Sequence, residues 1–176
     1  MILNDLKAKG KWNYKDESAR GMVRALFSDG SLCMILFRLS DFLNRYFVTR
    51  IFSAILVKAN TFLCGAVIGR GASFDKNFVI LHSVGVVINS RVKGGRDIVI
   101  ESGVVIGEEK SKCPMLGSNI FIGSGAKIFG DITIGDNVTI GANAVVNKSI
   151  PSDVVVAGVP AAVVRHKSTG PKTDEC

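Results

Sequence analysis

Residues 122–146 read IGSGAKIFGDITIGDNVTIGANAVV. Ile122, Ile128, Ile134, Ile140 and Val146 fall six residues apart. A second small or aliphatic residue follows four places after each lead position, at Ala126, Ile132, Val138 and Ala144. A helix repeats near 3.6 residues and an isolated strand at 2, so neither period fits. A unit of short strand plus tight turn does fit, and stacked units of that kind make a parallel β-helix. One unit cannot bury its apolar side, whereas a stack buries a continuous core.

The same beat extends towards the N-terminus. Its earlier lead positions are Ile68, Phe74, Ile80, Ile88, Gly94, Ile100, Ile106 and Leu116, of which only Gly94 lacks an apolar side chain. The second positions are Ala72, Phe78, Val92, Ile98, Val104 and Ile120. Three units make a coil of 18 residues, and coils stack about 4.8 Å apart. The beat breaks twice. The step from Ile80 to Ile88 is eight residues, and the step from Ile106 to Leu116 is ten.

Each break holds residues suited to chemistry. His82 lies in the first, two places after a lead position and therefore at a corner of the prism. The equivalent corners of later coils carry Ser102, Ser124 and Ala142. A column of small residues ending at a histidine suits a long thin cofactor, and suits equally a run of tight turns with an exposed histidine. The second break, Gly107–Met115, reads GEEKSKCPM and is expected to project from the prism. Such a loop either reaches a substrate or a neighbouring subunit, or is a tolerated insertion.

The N-terminal third is different. Residues 1–62 carry ten Lys/Arg against five Asp/Glu, within a net charge of +7 for 176 residues. That excess suits solubility, an anionic surface or an acidic ligand. Residues 1–19 give weak structural signals, and residues 19–60 suggest two or three helices, with Asp29 or Ser31 capping one of them. Leu32, Leu36, Leu39, Phe42 and Leu43 repeat at helical spacing. Their stripe suits helix packing first and a membrane surface second. No uncharged apolar run reaches the roughly 18 residues of a spanning helix. Cys33, Cys64, Cys113 and Cys176 are scattered and the chain has two histidines, so neither zinc nor a disulfide framework is expected. The polar start Met1–Lys11 is not a signal peptide, and a reducing cytoplasm is the expected setting. The expected division is a helical region over 1–62, a β-helix over 63–165 and a flexible tail over 166–176.

The segment Ile68–Val164 resembles the serine acetyltransferase branch of the hexapeptide-repeat acyltransferases. The resemblance rests on HSVGVVIN at His82–Asn89, on the run at 122–146 and on AGVPAAVV at Ala157–Val164. It implies a left-handed parallel β-helix and acetyl-CoA as co-substrate, with no metal. It also implies a homotrimer or a dimer of trimers, with active sites between adjacent prisms. It places the catalytic base at His82 and cofactor-lining positions at Gly123, Ser124, Gly141 and Ala142. The branch carries an orienting aspartate 15 residues before the histidine, where this chain has Val67, and another directly before it, where this chain has Leu81. Its substrate-gripping Arg-His pair falls on Lys112-Cys113, the expected substrate contacts here. The orienter of His82 is then open between Asp75 and a backbone carbonyl.

These departures and the short helical start are more similar to the relatives that O-acetylate bacterial capsule or exopolysaccharide sugars. The expected activity is transfer of acetyl from acetyl-CoA to a polysaccharide hydroxyl. The expected location is the cytoplasm, near the inner membrane face, with no nucleic-acid partner. Serine O-acetylation, with Lys112 holding the carboxylate, is the first alternative. An inactive β-helix scaffold is the second.

Overall fold

In the computed structural model, which describes residues 1–167, the six-residue beat forms a parallel β-helix of about four turns behind a helical region. The first sheet stacks β1 (Val67–Ile68), β4 (Val87–Ile88), β7 (Val105–Gly107), β10 (Lys127–Phe129) and β13 (Val145–Val146). The second stacks β2 (Ser73–Phe74), β5 (Lys93–Gly94), β8 (Met115–Leu116) and β11 (Thr133–Ile134). The third stacks β3 (Phe78–Ile80), β6 (Ile98–Ile100), β9 (Ile120–Ile122), β12 (Thr139–Ile140) and β14 (Val154–Ala157). It ends on β15 (Ala162–His166), which runs antiparallel to β14.

Register follows the beat: Ile68 pairs with Ile88, Ile106 with Ile128, and Ile100 with Ile122. The apolar lead residues point inward, and both positions of each hexad are buried along the stack. Gly94 breaks the pattern for a packing reason. The Phe74 and Phe78 rings stack at 4.1 Å beneath it, and a Cβ on Gly94 would sit 2.5 Å from the Phe74 ring. The two rings fill the volume that a side chain at 94 would occupy elsewhere in the column.

Four helices precede the stack: α1 (Ile2–Tyr14), α2 (Ala19–Leu26), α3 (Ser31–Asn44) and α4 (Arg50–Cys64). The N-terminus, expected to give little structure, forms α1 and packs on the third sheet. Trp12 stacks on Phe121 at 5.5 Å, and Ala8 packs against Val79, Leu81 and Val99. A buried ion pair fixes this docking. Arg38 on α3 donates to Asp5 on α1 at 2.7 Å and to the carbonyls of Phe74 and Asp75 at 2.6 Å each. Asp5 also accepts the Phe78 amide at 2.9 Å. Every partner is satisfied, so removing either member would leave a buried charge uncompensated, a loss of about 3–5 kcal/mol.

The stripe expected to pack is not the buried face of α3: Leu32, Leu39 and Phe42 are exposed, and Cys33, Met34, Phe37, Arg38 and Ser40 are buried. α4 is likewise apolar on its outer side. Its buried residues are Ser53, Asn60 and Cys64, and Ser53 exchanges hydrogen bonds with Ser40. Phe47, Ile51, Phe52, Ile55, Phe62 and Leu63 face outward instead. The 18 residues Phe47–Cys64 are long and apolar enough to cross a membrane by length and composition, with Arg50 and Lys58 inside the run.

The boundaries also move. The helical region continues to Cys64, past the expected limit at 62, and the first strand begins at Val67. The expected tail begins inside β15, which includes His166. Residues 168–176 lie outside the described residues. Gly30, with φ of 77°, caps α3, so neither the Asp29 nor the Ser31 side chain does. Cys33 and Cys64 are free and buried, and Cys113 is free and half-buried.

Candidate active site

His82 stands where the chain turns from the third sheet to the first, directly after β3 and Leu81. The two extra residues of this step enter ahead of a turn that later coils also make. The Val86 amide donates to the Ser83 carbonyl at 3.1 Å, and Gly85 sits at φ 75°. Ser83 is buried and donates its hydroxyl to the Cys64 carbonyl at 2.9 Å. With Leu81 turned under α1 and Ser83 anchored, His82 points out between them, its side chain 59% exposed.

Asp29, from the loop between α2 and α3, meets it there. His82 Nδ1 lies 2.8 Å from Asp29 Oδ2, and Asp29 Oδ1 accepts the Gly30 amide at 2.8 Å. The hydrogen bond with His82, helped by the Gly30 amide and opposed by partial burial, holds the Asp29 carboxyl below its ordinary range. A carboxylate accepts Nδ1–H, which fixes the tautomer and leaves the Nε2 lone pair outward as a base.

Two local features bring Asp29 so close. Gly30 presses on the β-helix: a Cβ there would lie 2.4 Å from the Ile80 carbonyl oxygen, and the positive φ is strained for any other residue. Lys9 on α1 is fully buried and donates Nζ–H to the Ile80 carbonyl at 2.8 Å and to the Asp29 carbonyl. Burial pushes its pKa down to about 8, against the pull of Asp29.

Asp29 therefore replaces both expected orienters. The Asp75 carbonyl is taken by Arg38, and Asp75 ends the second-sheet strand rather than flanking the histidine corner. Val67, in the orienting aspartate's place, faces outward on the first sheet. No sequence signal paired Asp29 with His82 across 53 positions. The Ser28-Asp29-Gly30 break marked a turn, not its destination.

The expected corner column shifts by two residues at its base, where Val84 and not His82 stacks under Ser102. The amides of Gly103, Gly125 and Asn143 donate to the carbonyls of Val84, Ser102 and Ser124 at 2.8–2.9 Å, which stacks Val84, Ser102, Ser124 and Ala142 and leaves His82 two residues before the base of the column. Ser124 and Ala142 are exposed along it. Gly123 and Gly141 have another duty. Their amides donate to Ile140 and Val156 in the coil ladder, and a Cβ on Gly123 would sit 2.7 Å from the Ala142 nitrogen. They keep adjacent coils close, while Ser124 and Ala142 offer the surface.

Lys112 and Cys113 occupy a different corner, between the first and second sheets. The loop does not project freely. The Glu109 and Lys112 backbones exchange hydrogen bonds of 2.9 Å each way, Lys112 pairs with Asp131, and Glu108 pairs with Arg91. Cys113 packs against the core edge. Within one chain the structure brings neither residue to His82. Among the described residues no group of three His, Cys, Asp or Glu could hold a metal ion.

Residues 114–148 match the bacterial transferase hexapeptide family (six repeats). The chain is 37% identical over 127 residues to a serine acetyltransferase of Staphylococcus xylosus, a match covering 70% of this chain and 57% of that protein. The chain thus spans under two thirds of the length of the curated relatives it matches. The crystal structure of Neisseria gonorrhoeae serine acetyltransferase superposes with a TM-score of 0.87 at 26% identity, over 97% of this chain and 66% of that one. The chain carries hexapeptide repeats and is similar to serine acetyltransferases. A serine acetyltransferase from Brucella abortus in complex with coenzyme A is also similar, with a TM-score of 0.83 at 25% identity, over 95% of this chain and 68% of that one.

The expected capsule or exopolysaccharide acceptor is overturned. The matched relatives and structures are named serine acetyltransferases. The short helical start had pointed away from them, yet 97% coverage of the hexapeptide-repeat protein brings its helices into the superposition.

Proposed function

We propose that this chain is an acetyl-CoA-dependent acetyltransferase whose acceptor is the hydroxyl of serine. The observation that carries the reading is the Asp29–His82 pair, which leaves Nε2 free beside a corner lined by Val84, Ser102, Ser124 and Ala142. A serine hydroxyl has a pKa far above 7 and attacks a thioester poorly unaided. As its oxygen bonds to the acetyl carbonyl carbon, Nε2 takes the hydroxyl proton. Collapse of the tetrahedral intermediate breaks the carbon–sulfur bond, and the imidazolium returns the proton to the departing thiolate. Asp29 stabilises the imidazolium between the two transfers. The pantetheine arm of acetyl-CoA fits a groove along Ser124 and Ala142, where larger side chains would block it.

The same reading makes the working unit a homotrimer. Val67 and Val87 face outward on the first sheet and are over a third exposed, with Phe62 and Leu63 exposed beside them. Such a face suits another copy. It is bounded on one side by the His82 corner and on the other by the Lys112-Cys113 corner. Packing three prisms through it sets the loop of one copy beside the histidine of the next. The cytoplasm, which supplies acetyl-CoA, is the compartment this reading requires.

The test is a purified-protein assay with acetyl-CoA and L-serine, following free coenzyme A thiol and O-acetylserine by mass spectrometry. Saturable formation of both is expected. Thioester cleavage with other hydroxyls but not with serine would overturn the acceptor. No cleavage with any hydroxyl would overturn the enzymatic reading.

A further inference from the structure

We propose that Lys9 is a positioning residue for the Asp29–His82 pair. The proposal rests on the reading of His82 as the base. Lys9 is among the largest fully buried side chains of the protein. Burying an ammonium is costly unless it is paired and hydrogen-bonded. Among the described residues its hydrogen-bond partners are two backbone carbonyls, not a carboxylate. An apolar side chain of that length would be the cheaper occupant of the space. The choice of carbonyls says what the lysine is for.

One carbonyl belongs to Asp29 itself, and the other to Ile80, two residues before His82. These groups come from separate parts of the chain, the α2–α3 loop and the end of β3, while Lys9 comes from a third, α1. The ammonium thus clamps the loop that carries the orienter to the strand that carries the base. Gly30 completes the join, since its backbone lies too close to the Ile80 carbonyl to admit a Cβ. With both backbones fixed, Asp29 has one short reach left, to Nδ1. The titratable groups that act on the ammonium are Asp29 and the Cys33 thiol on α3. Asp5, one turn earlier on α1, is committed to Arg38.

The test uses the histidine tautomer, which needs no substrate. The chain has two histidines, so two imidazole spin systems are assigned by one His166→Gln spectrum. Nitrogen-15 spectra would be taken at about pH 7.5, above the ordinary imidazole range, for the wild type, Asp29→Asn, Lys9→Met and Gly30→Ala. The wild type is expected to hold His82 with the proton on Nδ1. Lys9→Met is expected to move it towards the Nε2–H form that free imidazole prefers, in the direction of Asp29→Asn. Its kcat should fall roughly tenfold, with the KM for both substrates changing less than twofold. Lys9→Gln, which keeps a donor, should restore part of the signal. If Lys9→Met does not fold, Gly30→Ala opens the same join without touching the lysine and should shift the tautomer likewise. A folded Lys9→Met with the wild-type tautomer and only a lower Tm would overturn the proposal. So would an unchanged tautomer in Gly30→Ala. A wild type inactive on serine would sink the acceptor assignment and leave the tautomer result to decide on Lys9.

Discussion

At the residue scale, the proposed base announces itself in the sequence and its proposed orienter does not. His82 was legible because it interrupts a regular beat, and a strict repeat makes any intrusion visible. His82→Asn removes the base and leaves a corner turn anchored by Ser83. It is expected to lower kcat by about 10² or more while the melting curve stays put. Asp29 was illegible because its position depends on where a loop of the helical region lands after docking. Asp29→Asn leaves Oδ1 accepting from Gly30 but offers Nδ1 an amide that can favour the wrong tautomer. We expect a loss of about 10²–10⁴ in kcat with little change in KM, and steady-state kinetics against both substrates would reveal it. A loss confined to KM would make Asp29 a substrate contact instead.

At the element scale, legibility followed the source of the apolar pattern. The hexads bury their lead residues in one continuous core, so sequence period and burial coincide. α1 buries Asp5, Leu6, Lys9 and Gly10, three of them polar or without a side chain, so its periodicity is invisible until Arg38 and the carbonyls are known. The stripe on α3 misled for the opposite reason: it is apolar, but Leu32, Leu39 and Phe42 face out. The turns of the third-to-first corner act together as one surface element. Ala142→Trp would cover the corner two coils above Ser102 without entering the core, since Ala142 is exposed. The KM for acetyl-CoA is expected to rise at least tenfold, with the KM for serine nearly unchanged. Equal effects on the two substrates would place the coenzyme elsewhere.

At the scale of the whole molecule, the buried groups couple stability to pH. Burial lowers Lys9 from 10.5 to about 8, so between those values the unfolded chain holds a proton that the folded chain has released. Stability therefore rises as pH climbs through that window. Cys33 works against it. Its thiol is raised from 9.0 to about 12 by burial, so above about 9 the unfolded chain loses a proton that the folded chain keeps. The expected profile is a rise from pH 8 to 9 that flattens beyond it. In Lys9→Met the rise should vanish and the Cys33 decline remain. Urea midpoints across pH 7–10 for the two proteins would check both signs, and a Lys9→Met profile parallel to the wild type would show that Lys9 does not titrate there.

The last strand has a consequence for how copies avoid one another. A parallel stack has two open ends, and each end offers unpaired backbone to any similar coil. Here β15 turns back through Gly158–Ala161 and covers the end of the third sheet in the antiparallel sense, while the Val145 amide and carbonyl are taken by Gly158 and Ala161. The edge that β15 itself presents mixes exposed Val163 and Val164 with Arg165 and His166, and the two polar side chains are unfavourable to further strand addition. The far end lies under the helices. The C-terminal segment thus works as a stopper against end-to-end fibre growth. A chain ending at Ala157 should keep its core yet grow into filaments in a concentration-dependent way, visible by light scattering and electron microscopy.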